Sequence, residues 1–312
     1  MPSQETAVEV EGRTLRLSNL DKVLYPDTGF TKGEVIDYYA RIGPVMLSHM
    51  RDRGITMRRY PNGVDDKSFF EKRCPSHRPD WVEVCLGPGD SGGAINYCRL
   101  SDLPSVVWAA NLAALEIHAP MARCADIEAP MMVVFDLDPG PPAGMQDCAE
   151  VGVWIRDALA GLGLSCLAKT SGSKGLQLYV PVNRPSVTHE HAAGFARTVA
   201  QAMEKHHADR VVSVMRKELR KGKVFIDWSQ NSRHKTTVCV YSLRARPRPT
   251  VSTPVTWDEV EAAAEGHPLS FEATDVVRRV EEHGDLFADA ATLEQELPDA
   301  PPAKSPPVPR RS

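Results

Sequence analysis

Two strand-like runs carry the carboxylates best placed for chemistry. Residues 131–140 read MMVVFDLDPG and deliver Asp136 and Asp138 at the end of an apolar run that Pro139 and Gly140 stop. Far downstream, VFIDW repeats the device with Asp227. Positions i and i+2 of a strand share a face, so Asp136 and Asp138 point together while Phe135 and Leu137 point into a core. Carboxylates grouped at the end of an apolar strand are costly unless something cationic lies between their oxygens. Two divalent ions would meet that need, and paired ions drive in-line phosphoryl chemistry. A lone DxD is a weak signal, since many strand ends carry such a pair as a cap or turn acid. The third Asp, inside a separate apolar strand, sharpens it toward carboxylates that hold Mg²⁺ or Mn²⁺ against a nucleoside triphosphate and an attacking 3′ hydroxyl.

Other motifs carry positive charge toward the same chemistry. In KTSGSKGLQLY (169–179), small residues let backbone N–H groups approach phosphate oxygens. Ser171, Ser173 and Lys174 suit such a cradle, although the spacing is not that of a Walker loop and a plain hairpin turn would look the same. Gln177 and Tyr179 share one strand face; Leu176, Leu178 and Val180 take the other. In SLRAR, Arg244 and Arg246 lie two apart in an extended run, so both guanidinium groups face one way, toward a triphosphate or a DNA backbone. A positively charged sheet edge is the plain alternative. Phe69 and Phe70 stand among Arg58, Arg59, Lys67, Lys72 and Arg73. Aromatics among cations can stack bases, and one ring is expected inside and one outside. Cys74-Pro75-Ser76-His77 has a CxxH spacing, but no second pair completes a zinc site.

The chain has 312 residues and a net charge of −4, which taken alone argues against nucleic acid. The distribution reverses that. From Glu204 to Thr250 stand twelve Lys/Arg against four acids, one of them Asp227. No apolar run reaches the roughly 20 residues of a membrane helix, and the first residues lack a basic head with an apolar stretch. The expectation is a cytoplasmic, nucleoid-associated protein without a membrane partner. Its seven scattered cysteines are expected as reduced thiols rather than a disulfide frame.

The elements that must position these residues can be read in outline. Thr31 with Glu34 forms a capping box that opens a helix. Strands are expected at Ile55–Tyr60 and Trp81–Cys85, with a Gly-rich mobile loop over Leu86–Asn96. Helices are expected at about Pro104–Leu115, Cys148–Leu162, Thr188–His207, Trp257–Glu265 and Ala273–Glu282. Strands are expected on both sides of the TSGSKG turn, in VFIDWSQN and in TTVCVYSLRAR. The Pro-rich tail, 291–312, is expected to be disordered. Irregularly mixed strands and helices give an α+β, mixed α/β class with an antiparallel catalytic sheet flanked by helices, not a doubly wound parallel sheet.

FDLDPG, TSGSKG, VFIDWSQN and YSLRAR, in this order, resemble the polymerase domain of bacterial LigD-type end-joining ligases, within the archaeo-eukaryotic primase superfamily. The resemblance runs from about Ser18 to Phe287. It implies one catalytic domain over 1–290, with a 5′-phosphate-binding part to about 115 and a catalytic part from 116. It implies that Asp136, Asp138 and Asp227 hold two Mn²⁺ or Mg²⁺ ions, Asp227 nearest the 3′ hydroxyl. His118, in LEIH, would stand near the nucleotide, and Ser171, Lys174, Arg244 and Arg246 would hold its triphosphate. Asn19, Lys22 and Lys32 would bind a DNA 5′-phosphate. Phe69 or Phe70 would stack at the template, and Arg220 would touch the template or primer strand. The implied activity is templated addition of NTP or dNTP, preferentially ribonucleotides, at gaps and ends. The implied partners are gapped or broken duplex DNA, a separate ATP-dependent DNA ligase and Ku. No ligase or nuclease sequence follows, so a stand-alone form is expected.

Two departures matter. The family's histidine after the SGxKG turn is Gln177 here, which donates a hydrogen bond but carries neither charge nor a catalytic proton. Leu86–Asn96, in the place of a loop that pairs DNA ends, contains no Lys or Arg, which points to weaker synapsis and toward gap filling. Gln177 also motivates the alternative of a catalytically weakened module that recruits partners to DNA ends. A phosphatase with Asp136 as nucleophile is a lesser alternative, because Pro139-Gly140 replaces the expected continuation.

Overall fold

A computed structural model describes residues 5–89 and 92–298. The N-terminal part opens with a hairpin, β1 (Glu5–Val10) and β2 (Arg13–Ser18), then a short pair, β3 (Val23–Tyr25) and β4 (Phe30–Thr31). Thr31 caps α1 (Lys32–Met50) through the full capping box with Glu34. β5 (Thr56–Arg59), β6 (Phe69–Glu71), the hairpin β7 (Val84–Pro88) and β8 (Ala94–Cys98), and α2 (Leu103–Asn111) follow. Ala113, with φ of +57°, turns the chain out of α2, so β9 (Ala114–Pro120) begins where a longer helix was expected. The pair β10 (Ala122–Arg123) and β11 (Asp126–Pro130) leads to β12 (Met132–Pro139).

The remainder alternates α3 (Met145–Ala160), β13 (Leu167–Thr170), β14 (Leu176–Pro181), α4 (His189–His206), β15 (Val211–Val212) and β16 (Val224–Asp227). Then come β17 (Thr236–Val238), β18 (Pro254–Val255), α5 (Trp257–Ala264) and α6 (Ala273–His283). A six-stranded sheet runs β15-β16-β12-β14-β13-β18, and a four-stranded sheet runs β17-β9-β5-β6. In the larger sheet every pairing is antiparallel except β15 with β16. The α+β class and the largely antiparallel larger sheet are as expected.

Two cores explain the layering. Phe135, Leu137, Leu176, Leu178 and Val180 lie on one face of the larger sheet and pack with Ile155, Leu159, Phe195 and Val260 of α3, α4 and α5. Val134 and Tyr179, on the opposite face, join a second core with α1, α2 and the smaller sheet. Residue 115 lies inside β9, and β17 returns to pair with β9, so the two halves of the chain interlock rather than meet at a linker.

Several expectations are corrected. Of Trp81–Cys85 only Val84 and Cys85 are strand, where β7 starts. The Gly-rich stretch is not one open loop, because both its flanks pair as the arms of β7 and β8, and the Tyr97 hydroxyl donates to the Pro88 carbonyl across them. Asp90 and Ser91, at its centre, lie outside the described residues. Four cysteines are not free thiols: Cys74–Cys98 and Cys85–Cys124 are disulfides, while Cys148, Cys166 and Cys239 are free and buried. VFIDWSQN is strand only to Asp227; Trp228–Asn231 is a 3₁₀ turn. SLRAR is not a regular strand but a segment held by a single bridge, Leu243 to Val251. No helix of the described residues is long and apolar enough to cross a membrane. The Pro-rich tail from residue 299 lies outside the described residues.

Candidate active site

Register brings the acids together. Asp136 stands opposite Asp227 of β16 on one side and opposite Gln177 of β14 on the other. Gln177 in turn stands opposite Lys169 of β13. Directly opposed residues share a face, so Asp227, Asp136, Gln177 and Lys169 form one row across the sheet, with Asp138 two positions along. The face opposite this row is the apolar one.

The row is hydrogen-bonded along its length. Gln177 Nε2 donates to Asp136 Oδ1 at 3.0 Å. Lys169, 1% exposed, donates through Nζ to Gln177 Oε1 at 2.5 Å and to Ser252 Oγ at 2.6 Å. The Tyr179 hydroxyl also donates to Gln177 Oε1, at 3.2 Å. With its oxygen held by two donors, Gln177 can present only its amino group to Asp136. Asp227 Oδ1 accepts from Ser229 N and Oγ, and Oδ2 accepts from Gln230 Nε2 at 3.1 Å. Lys235 Nζ lies 3.9 Å from the same oxygen.

The electrostatics are those of crowded anions. Burial, then the charges of Asp138 and Asp227, push the Asp136 carboxyl up to about 7 against the relief given by Gln177. Asp138 is also raised, by burial and by Asp227, although Arg220 and Arg244 pull it back. All the donors are carboxylate oxygens, a set that suits Mg²⁺ or Mn²⁺. Among the described residues no three His, Cys, Asp or Glu side chains form a ready-made metal cage. The carboxylates of Asp136 and Asp138 instead line an open cleft of about 460 Å³, within the usual range for small-molecule sites.

The rest of the cleft wall is cationic and polar where Ser171, Ser173, Lys174, Arg220, Arg244 and Arg246 line it. Gly172 has φ of +65°, and a Cβ there would meet the Val251 backbone at 2.6 Å, so the TSGSKG turn needs glycine to lie against the chain that carries the arginines. Arg244 donates to the Ser171 carbonyl and Arg246 to the Ser173 hydroxyl. Both arginines therefore reach the cradle without a regular strand to aim them. The Ser171 hydroxyl accepts from the N–H groups of Ser173 and Gly175 and shapes the turn from inside. Arg220 is brought to the cleft because its carbonyl nests against Gly140, where a Cβ would stand 1.9 Å from that oxygen.

Residues 31–287 match the LigD primase-polymerase domain. The chain belongs to the LigD primase-polymerase family. That family places it among DNA-directed nucleotidyltransferases. It is 44% identical over 276 residues to the multifunctional non-homologous end joining protein LigD of Mycolicibacterium smegmatis, covering 88% of this chain and 36% of that protein. It is 28% identical over 284 residues to the bifunctional non-homologous end joining protein LigD of Bacillus subtilis, covering 91% and 45%. It superposes on the polymerase domain from Mycobacterium tuberculosis Ligase D in complex with DNA with a TM-score of 0.83 at 41% identity, covering 89% of this chain and 98% of that one. The chain thus spans 36% to 45% of the length of these curated relatives.

The other expected site residues fall in two further places. Asn19, with φ of +55°, and Lys22 line a surface hollow with Thr6, Leu20 and Asp21. Lys32 lies behind it, 5% exposed, with Nζ donating to the Ser18 carbonyl at 2.6 Å. Burial, then Lys22 and Arg59, lower its ammonium to about 8. The one-in, one-out expectation for the phenylalanines is wrong: Phe69 is 45% and Phe70 56% exposed. They sit on β6, an edge strand, where Arg59 stacks on Phe69 and Arg58 on Phe70 in place of a core. Phe70 also meets His118 edge to face at 5.7 Å, which ties this platform to the cleft. Sequence reasoning missed Lys169, Gln230, Lys235 and Glu116. A signal existed for Glu116, which precedes His118 by two on one strand and so shares its face.

Proposed function

We propose that this primase-polymerase fills short gaps or ends in DNA that carry a downstream 5′-phosphate, in non-homologous end joining or related repair, with a preference for ribonucleotides. The observation that carries the reading is the row Asp227–Asp136–Gln177, of which Asp136 and Gln177, with Asp138, line a cleft whose wall also carries Ser171, Lys174, Arg244 and Arg246. Asp136, Asp138 and Asp227 are the residues that would hold two Mn²⁺ or Mg²⁺ ions. Bound there, the ions would neutralise charge developing at the attacking and leaving oxygens. Raised carboxyl affinities for protons are the mark of anions held together without a counter-charge, and an all-oxygen donor set fits hard cations. An open cleft rather than a closed cage suits ions that arrive with substrate phosphates.

The remaining steps belong to the chain's own residues. Arg244, Arg246 and Lys174 would grip the triphosphate, and the N–H groups of the TSGSKG turn would add donors. Gln177, locked by Lys169 and Tyr179, would keep Asp136 turned with its free oxygen toward the cleft. Phe69 and Phe70, exposed and backed by arginines, would stack on template bases. Asn19, Lys22 and Lys32 would recognise the terminal phosphate dianion, which an unbroken strand does not offer. A separate ATP-dependent ligase and Ku are the proposed partners.

The deciding experiment is primer extension on a gapped duplex with ribonucleotides and Mn²⁺. Asp136→Ala and Asp138→Ala are expected to abolish extension while DNA binding stays nearly intact. Full extension by either variant would sink the assignment. Absence of extension by the unaltered protein, with DNA binding retained, would favour the recruitment module that Gln177 suggested.

A further inference from the structure

Glu116 sits at the middle of β9, 2% exposed, and each of its carboxylate oxygens serves a different neighbour. Oε2 is 2.9 Å from His118 Nε2 and 3.7 Å from an Arg58 guanidinium nitrogen. Oε1 accepts from the Ala245 N–H at 3.1 Å and lies 3.3 Å from Arg244 Nε. His118 and Arg244 both line the nucleotide cleft; Glu116 does not. It reaches them from behind.

We propose that Glu116 is a positioning residue that divides the cleft into a phosphate end and a sugar end, holding Arg244 as a donor for the triphosphate and His118 as an acceptor for a nucleotide sugar hydroxyl. The inference rests on the polymerase reading above and goes past it by assigning a polarity to each end. An ionised carboxylate only accepts, so the His118 nitrogen that meets it must carry the proton. Against burial, which raises it, the hydrogen bond from His118, the charge of Arg244 and the Ala245 N–H hold Glu116 ionised, down to about 2. Burial lowers His118 and favours the neutral ring. A neutral imidazole protonated at Nε2 has a bare Nδ1. Nδ1 has no hydrogen-bond partner among the described residues and is not one of their enclosed unpaired atoms.

What Nδ1 can meet follows from polarity. Triphosphate oxygens at neutral pH offer no donors, so an acceptor facing them is repelled. Base donors differ among the four nucleotides, whereas a templated polymerase must accept all four. The sugar hydroxyls are the donors that every nucleotide shares. Arg244, by contrast, has its Nε toward Glu116 and one terminal nitrogen on the Ser171 carbonyl, which aims the rest of the guanidinium at the cradle.

Two measurements test this on the full chain. Imidazole ¹⁵N NMR should find the neutral His118 protonated at Nε2 in the unaltered protein. In Glu116→Gln it should find the proton on Nδ1, because the amide oxygen is needed by the Ala245 N–H and its amino group then faces the ring. A merely structural role for Glu116 would leave the tautomer unchanged. The second measurement is nucleotide affinity by equilibrium titration and single-nucleotide insertion, with ribo-, 2′-deoxy- and 3′-deoxynucleotides. Removing the hydroxyl that Nδ1 reads should weaken the unaltered protein by about fivefold or more, and His118→Ala by less than about twofold. Which deoxy analogue carries the penalty identifies the hydroxyl. Nδ1 protonation in the unaltered protein, or an equal hydroxyl penalty in His118→Ala, overturns the proposal. Should Glu116→Gln not fold, the unaltered protein's spectrum and the His118→Ala comparison still decide. Should the protein extend no primer, the polymerase reading fails, and the titration alone decides whether the hydroxyl is read.

Discussion

Asp136 is where the chemistry of single residues is most exposed. Its carboxyl is raised from an ordinary 3.8 to about 7 in the folded chain, first by burial and then by two neighbouring anions. The sign of the consequence is fixed. Between the two values the folded state binds more protons than the unfolded one, so the metal-free protein loses stability as pH rises through that window. Above about 7 the loss levels off. Asp136→Asn removes the charge and the Asp136 share of the pH dependence, leaving that of Asp138. Thermal unfolding in EDTA from pH 5 to 8 should therefore show the unaltered protein falling with pH and the variant falling less, the variant melting higher at pH 8. Mn²⁺ should reverse the order at pH 8, because it competes for the carboxylate that the proton leaves. Parallel curves for the two proteins in EDTA would mean that the Asp136 carboxyl is not raised in the folded chain. Much of this was legible in the chain: FDLDPG and VFIDW named all three acids. What no local pattern could supply was the burial of Lys169 beside Gln177, because Ser252 and β18, which cover it, lie far along the chain.

At the scale of elements, success and failure divide by how local the cause is. The capping box at Thr31, the helices α3 to α6 and the TSGSKG hairpin all follow from short-range signals, and they were readable. SLRAR was misread as a strand because alternating arginines resemble one. Arg244 and Arg246 are instead aimed by bonds to Ser171 and Ser173, which lie 73 residues away in sequence. The cysteines were misread for the same reason. Pairings over separations of 24 and 39 residues depend on where β7, β8 and β10 pack, and spacing does not encode that. Cys85–Cys124 ties the β7–β8 hairpin to the turn that follows β10. Peptide mapping of unreduced protein should recover both linked pairs. The paired Cys85→Ser, Cys124→Ser variant should lose about 3 kcal/mol without reductant and nothing with it. A reductant-independent loss would show that the thiols matter only through packing.

At the scale of the molecule, the expected phosphate hollow and the reaction cleft belong to one interlocked body. Tyr25, on β3 beyond Lys22, donates its hydroxyl to the Arg244 carbonyl at 3.1 Å, joining the N-terminal part to the cationic wall. Net charge concealed this partition, since the basic block around Asp227 is offset by acids elsewhere. The hollow has its own signature. Lys32 is lowered to about 8 by burial and by Lys22 and Arg59, so its charge is lost just above neutrality unless a dianion stabilises it. A folded value below the unfolded one means that the native chain holds fewer protons between about 8 and 10.5, and that stability contributed by this group rises with pH there. Recognition of phosphate runs the other way. Extension across a one- to three-nucleotide gap should be enhanced by a downstream 5′-phosphate at pH 7, and the enhancement should fade as pH passes about 8. The double variant Lys22→Ala, Lys32→Ala should extend the unphosphorylated gap normally and gain nothing from the phosphate. Lys32→Arg should keep the enhancement at pH 9, because arginine does not titrate. Every arm needs one salt concentration, since phosphate contacts release counterions and ionic strength alone would shift the comparison. An enhancement that survives in the double variant would move the phosphate site away from this hollow and leave the acid row untouched.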